Sequence, residues 1–276
     1  MNTMNRQRSG SYGLVVRVLP LPLGNSRFWL LVERNLMVYR HDWWIVLSGF
    51  FEPLFYLLSI GVGVGQLVGR VAVDGAEIPY AAFVAPAMLA ASAMNGAIAD
   101  STYNLFFKFK YAKLYDVVLA TPLRPLDVAA GEIVWAQLRG GLYSLAFLVT
   151  MLAMGLVHSW WALLVVPAAL LLGFAFAAVG MAATTWMRSW QDFEYITLLI
   201  IPMFLFSATF FPISSYPDGL QHVVAVTPLY QGVSLIRGLT LGELSPWMLV
   251  SVGYLALMAA GGLWLASRRV ARRLLT

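Results

Sequence analysis

Two stretches without a single charged residue, Gly140 to Thr185 and Tyr195 to Pro217, constrain this chain more than any other feature. A helix that crosses a bilayer needs roughly 20 predominantly apolar residues. The first stretch is long enough for most of a two-span hairpin, and the second for one crossing. Both are apolar all round, whereas a helix on a soluble core pairs an apolar stripe with a polar face. Only 11% of the residues are charged and 60% are hydrophobic, where a soluble domain carries roughly 25% charge. Six spans follow, at about 43–67, 80–104, 131–157, 161–186, 195–213 and 246–267. The expectation is an all-α integral membrane domain over 26–276, preceded by a flexible cytoplasmic arm at 1–25.

The basic residues orient these spans. With the N-terminus in the cytoplasm, Arg6, Arg8, Arg17, Arg27, Arg34 and Arg40 precede span 1. Lys108, Lys110, Lys113 and Arg124 fall between spans 2 and 3, Arg188 between spans 4 and 5, and Arg268, Arg269, Arg272 and Arg273 after span 6. Arg70 and Arg237 alone fall outside, while Arg139 lies near the inner end of span 3. This positive-inside bias predicts both termini in the cytoplasm of a multi-pass protein of the cell inner (plasma) membrane. Trp43, Trp44, Trp186, Trp190 and Trp264 then sit at inner boundaries and Trp160, Trp161 and Trp247 at outer ones, where amphipathic rings are favoured. The net charge of +5 is accounted for by these clusters, which suit anionic lipid headgroups; nucleic acid is not an expected partner.

Local patterns add detail. Residues 26–41, SRFWLLVERNLMVYRH, have apolar Phe28, Leu31, Val32, Leu36 and Tyr39 with charged Arg27, Glu33, Arg34 and Arg40. This predicts a helix lying in the inner interface; the alternative is a cytoplasmic extension of span 1. Span 1 carries Glu52 before Pro53. An intramembrane carboxylate must face protein or water, so Glu52 is read either as a contact in a translocation path or as a structural partner of another span. GVGVGQ, Gly61 to Gln66, lacks the spacing of a nucleotide loop and reads as close helix packing. In KLYDVVLATPLRPLD, a short amphipathic helix stops at Thr121-Pro122, and another can start at Pro125. The result is a compact knob on the cytoplasmic face, or else an ordinary solvated loop. After span 5, residues 217–237 are too broken by Pro217 and Pro228 for a full span. They predict two short helices dipping into the outer leaflet, tolerated where protein or water lines the irregular backbone.

Chemistry is scarce. There is no cysteine, which removes disulfides, thiolate nucleophiles and cysteine metal sites. His41, His158 and His222 stand far apart, so no metal site is expected. No G-x-x-x-x-G-K-[ST], H-E-x-x-H or G-x-S-x-G occurs. Catalysis by this chain, and a cofactor bound by it, are not expected.

The segment FLFSATFFPISSYPDGLQHVVAVTPLYQGVSLIRG, Phe204 to Gly238, resembles the signature of the type-2 ABC exporter permeases, with Phe210, Phe211, Pro212, Pro217, Leu220, Gln221, Pro228, Leu229 and Arg237 at the matching places. The subgroup it is most similar to is the NodJ-like permeases of lipo-oligosaccharide export, near the daunorubicin-type drug permeases. EPLFYLLSIGVGVG, YAAFVAPAMLAASAMNGA and LATPLRPLDVAAGE extend the likeness over nearly all of the chain after residue 25. Pro86-Ala87 replaces the Pro-Gly of many members.

The resemblance implies six spans, an N-terminal interface helix and an outer re-entrant hairpin between spans 5 and 6. It also implies a cytoplasmic coupling helix seated in a separate ATPase, to which Lys113, Leu114, Asp116, Val117, Val118, Leu119, Thr121 and Pro122 correspond. Two ABC ATPase subunits would bind ATP and Mg, and two permeases, identical or paralogous, would pair. Glu52, Phe55, Phe204, Phe206, Phe210, Phe211 and Arg237 are the candidates for a translocation path or gate, the last also for a plain interface anchor. The cargo expected is amphipathic: lipid-linked, glycolipid or drug-like. The competing expectations are an ion-coupled secondary transporter acting without an ATPase, with Glu52 and Asp100 as carriers, and a membrane-embedded lipid-modifying enzyme.

Overall fold

In a computed structural model of the chain, residues 29–41, 51, 54–73, 76–111 and 125–274 are described. Helix α1 is Trp29–His41, the sequence expected to lie in the interface. Helix α2, Leu54–Val68, is π-helical over Leu57–Val64. A hairpin of β1 (Arg70–Val73) and β2 (Ala76–Pro79) follows, antiparallel, with Val71 opposite Ile78 and Ala72 opposite Glu77. Helix α3 runs as an α-helix over Tyr80–Ala99, as π over Asp100–Asn104 and again as α over Leu105–Lys110. Helix α4 is Pro125–Ala153. Helix α5, Val165–Thr184, is led in by a 3-10 turn at Trp160–Leu164. Then come α6 (Phe193–Leu205), α7 (Asp218–Val226), α8 (Pro228–Leu241) and α9 (Trp247–Leu274).

The described residues are mostly helical, and the hairpin is a correction to an all-α reading. Alternating Arg70, Val71, Ala72 and Val73 gave it no long β pattern, and the Arg70 guanidinium ties its strands by donating to the Glu77 carbonyl at 2.8 Å. Among the described residues, four helical stretches are long and apolar enough to cross a membrane: Tyr80–Lys108, Gly131–Ala153, Trp160–Thr184 and Trp247–Arg269. They coincide with the second, third, fourth and sixth expected spans. In the first expected span the described helix is shorter. In the fifth, 195–213, it ends at Leu205 rather than Ile213.

Helix α5 is the hub, packing on α9 most extensively and also on α3, α4 and α8. Lipid tails are as apolar as leucine, so close packing of small residues replaces the hydrophobic drive between helices. Helix α5 supplies Ala168, Ala169, Ala175, Ala177, Ala178, Gly180 and Ala182, all buried. On α9, a Cβ at Gly262 would stand 2.8 Å from the backbone of Ala178 and Val179, so the two helices touch backbone to backbone there. Helix α3 is buried continuously from Ala82 to Ala91, while α4 and α9 keep broad exposed apolar sides. Helix α1 lies along α4 and buries Leu31, Val32 and Asn35. Gly242, left-handed at φ 85°, closes α8, the backbone role for which glycine is suited.

Candidate functional site

Helix α6 stops inside an apolar run, and the chain answers the helix end with local polar groups. Pro202 lacks the N–H that would continue the ladder. Past it, the carbonyls of the last turn need partners. The Phe206 N–H reaches the Pro202 carbonyl at 2.8 Å, the Ser207 hydroxyl donates to the Phe204 carbonyl at 2.9 Å, and the Tyr216 hydroxyl donates to the Leu205 carbonyl at 3.3 Å. Ala208 is left-handed, at φ 53°, which costs an alanine roughly 1–2 kcal/mol. Arg237 of α8 secures this turn. It is 9% exposed, donates from its terminal nitrogen to the Ala208 carbonyl at 2.9 Å and from Nε to the Phe83 carbonyl at 3.2 Å, and lies 3.8 Å from the centre of the Phe83 ring. The residue expected at an interface is thus a buried clamp joining α8, α3 and the end of α6. Thr227 caps α8 by accepting from the Tyr230 N–H, with Pro228 at the first helical position.

Two ion pairs bind α3 to α4. Arg139 donates to the Asp100 carboxylate, which also accepts from the Asn104 side chain at 2.7 Å. About two turns on, Lys108 and Glu132 pair at 2.5 Å. The π-helical turn Asp100–Asn104 brings Asp100 to this position, and the Ser101 and Thr102 hydroxyls both return to the Ile98 carbonyl. Removing one member of a largely buried pair would strand the other's charge. Asp100, considered above as a proton carrier, therefore has a structural partner.

At the same end, the last turns of α3 meet the α5–α6 connection in an aromatic cluster. Tyr103 stacks on Phe193 at 4.4 Å between centroids, and Phe106 meets Phe193 edge-on at 5.2 Å. Trp190 contacts Phe106 at 5.6 Å, Phe193 at 5.3 Å and Tyr111 at 5.8 Å. The Lys110 ammonium donates to the Arg188 carbonyl and lies over Phe106. Asp192 fixes the turn into α6. The backbone N–H groups of Arg188, at 2.6 Å, and of Ser189, at 3.1 Å, bond its carboxylate and hold its pKa below the usual carboxylate value.

The expected gate aromatics divide. Phe204 and Phe210 meet edge-on at 5.4 Å against the core. Phe206 tilts against Tyr216 at 6.2 Å, and Phe211 is exposed. Phe55 stacks on Phe51 at 5.7 Å, apart from this group. Glu52 and the coupling candidates Lys113, Leu114, Asp116, Val117, Val118, Leu119, Thr121 and Pro122 lie outside the described residues, although the chain enters their segment directly from the aromatic cluster at Tyr111.

Sequence reasoning missed a groove of about 460 Å³ between α5, α6 and α7. Each wall helix contributes residues at i, i+3, i+4 and i+7: Phe176, Val179, Gly180 and Ala183 from α5; Ile196, Leu199, Ile200 and Met203 from α6; Leu220, Val223, Val224 and Thr227 from α7 and its C-cap. The signal was present in those spacings, but an all-apolar helix offers several such stripes at once. Among the described residues no group of three or more His, Cys, Asp or Glu side chains gathers to hold a metal ion.

The family described as ABC-2 type transporter matches residues 26–241. Nodulation protein J of Rhizobium leguminosarum bv. viciae is 31% identical over 261 residues, covering 94% of this chain and 99% of that protein. Nodulation protein J of Rhizobium meliloti (strain 1021) is 31% identical over 266 residues, 95% of this chain and 98% of its own length. The corresponding protein of Rhizobium leguminosarum bv. trifolii is 33% identical over 262 residues, 94% and 98% respectively.

Proposed function

Because the chain belongs to the ABC-2 type transporter family, and is a membrane subunit of that kind, we propose that it is the permease of an ATP-driven exporter. Its cargo is an amphipathic molecule (lipid-linked, glycolipid or drug-like) taken from the cytoplasm or the inner leaflet. The observation that carries this reading is the family match over residues 26–241 in a sequence with no phosphate-loop motif; in this reading the energy comes from a partner ATPase. Two ATPase subunits bind ATP and Mg, and two permeases form the path. The protein sits in the inner (plasma) membrane with both termini in the cytoplasm.

In this reading there are six crossings. The first ends in α2, and α3, α4, α5, α6 with its terminal turn, and α9 supply the rest. Helices α7 and α8 form an outer re-entrant cap fastened by Arg237, and Phe210 and Phe211 gate release beneath it. The segment 113–122 seats in the ATPase through Leu114, Val117 and Leu119, with Lys113, Asp116 and Arg124 at the rim. Movement of that segment passes to α6 through the aromatic cluster, which packs the end of α3 against Trp190 and Phe193. The pairing of Asp100 with Arg139 weighs against Asp100 as the proton carrier of an ion-coupled transporter.

The test is purification from native membranes in mild detergent. An ATPase with a phosphate-loop motif is expected to accompany the permease at about one copy per permease. A permease that moves amphiphiles in vesicles with no ATPase present, driven by a proton gradient, would replace this reading with the secondary-transporter one.

A further inference from the structure

The groove between α5, α6 and α7 has a lining with one chemistry. Its walls are aliphatic and aromatic, and the two hydroxyls on it are already used. Thr102 donates to the Ile98 carbonyl at 2.6 Å, and Thr227 to the Val224 carbonyl at 2.7 Å. A sugar, phosphate or amine placed there would lose its water and gain no hydrogen bond. Its volume of about 460 Å³ falls in the range of pockets that enclose a small molecule, roughly 300–1,000 Å³.

The shape is as restrictive as the chemistry. Gly180 and Ala183 line the floor, and the missing Cβ of Gly180 lets α3 close against it, since a Cβ there would run into Ser101 and come within 3.1 Å of Thr102. The inner end is closed by the aromatic cluster, since Ile196 lines the groove and also packs on Phe106, Met187 and Phe193. Helix α7, with Pro228 at the start of α8, completes the lining. The open side is lateral, where Leu199, Val223 and Phe206 are exposed. On α6 the groove runs from Ile196 to Phe206, on the order of 15 Å at 1.5 Å per residue. A slot of this kind, long, dry, closed at the aromatic cluster and open sideways, accepts a hydrocarbon chain entering from the bilayer and leaves its polar head outside.

We propose that this groove holds the acyl or alkyl chain of the transported single-chain amphiphile while its polar head moves along the permease. The inference rests on the exporter reading and adds where the apolar half of the cargo travels. A chain leaving lipid for this groove gains little from hydrophobicity, because both surroundings are apolar. Weak holding is what a transport slot needs, since the chain must enter and leave in every cycle. Selectivity then comes from shape: one chain fits the floor at Gly180 and Ala183, and the paired chains of a bilayer phospholipid do not.

The probe is a dodecyl glycoside carrying a photoreactive diazirine at the chain end, incorporated into proteoliposomes of the permease with its co-purified ATPase. Crosslinks mapped by mass spectrometry are expected at Leu199, Met203 and Val223. Filling the floor with Ala183→Trp is expected to reduce them at least fivefold, and the map on the unmodified protein carries the test alone if that variant does not insert. A phospholipid bearing the same diazirine on one of two chains is expected to label these residues at least fivefold less. Equal labelling by the phospholipid makes the occupant bilayer lipid and overturns the proposal. So does dodecyl labelling confined to other surfaces. Labelling needs no ATP, so ATP-dependent efflux measured on the same vesicles separates the two ideas. Efflux without groove labelling sinks the groove alone, and groove labelling without efflux sinks the exporter reading.

Discussion

Arg237 joins three elements through one buried side chain. Its guanidinium satisfies the carbonyls of Ala208 and Phe83 and covers the Phe83 ring, and it thereby holds the left-handed turn after α6. Arginine suits this because its planar fork directs several donors at once and stacks on an aromatic face, which an ammonium group cannot match. In Arg237→Met the Ala208 carbonyl loses its donor, at about 1–3 kcal/mol, and the Phe83 carbonyl, inside α3, loses a bond additional to the helical ladder. The expected loss is roughly 2–3 kcal/mol in unfolding from detergent micelles. Arg237→Lys should fall between the two, retaining one bond and losing the stacking. A methionine variant as stable as the wild type would mean that water or lipid serves those carbonyls and that the clamp is not structural. The sequence placed Arg237 near a boundary, but nothing in it could reveal the partners: both are backbone carbonyls, one of them on a helix more than 150 residues earlier.

At the scale of elements, the aromatic cluster is the joint that matters. It packs the end of α3 against the turn into α6, and Trp190 touches three other rings in it. Aromatic pairs contribute about 0.5–1.5 kcal/mol each beyond their buried area, enough to keep two helix ends moving together. Trp190→Ala is expected to leave insertion and ATP turnover near wild-type levels while ATP-dependent export falls severalfold. If turnover, export and protein abundance fall in proportion, the cluster is packing and transmits nothing. The elements themselves were unevenly legible. Pro125 and Pro228 marked the starts of α4 and α8 because a proline at the first helical position forfeits no hydrogen bond. The end of α6 was hidden, since the apolar run continues from Leu205 to Ile213 and hydropathy is blind to a change of backbone direction. The π-helical turn at Asp100 was hidden for a related reason: it depends on Arg139 waiting on α4, a partner across the bundle. The hairpin at 70–79 was too short to display a period.

For the molecule as a whole, the distribution of charge makes a claim about orientation that packing within one chain cannot address. Of the basic residues, Lys108, Lys110, Arg188, Arg268 and Arg269 gather toward one end of the bundle, while Arg70 lies in the hairpin at the other end of α3. Translocating a lysine- or arginine-rich loop is disfavoured, so the first group is expected to remain in the cytoplasm and the hairpin to be outside. The absence of cysteine from the chain makes single-cysteine variants clean reporters. Glu77→Cys lies on an exposed strand, where loss of its 3.8 Å pairing with Arg70 costs little, as exposed pairs contribute about 0–1 kcal/mol. Gln191→Cys lies on an exposed position of the α5–α6 connection. In intact cells a membrane-impermeant maleimide is expected to label Glu77→Cys promptly and to reach Gln191→Cys only after the membrane is permeabilised. The opposite pattern would invert the protein and place the 112–124 segment outside, where no cytoplasmic ATPase could reach it. Labelling of both positions in intact cells would put an even number of crossings between them and remove α3, α4 or α5 from the set of spans.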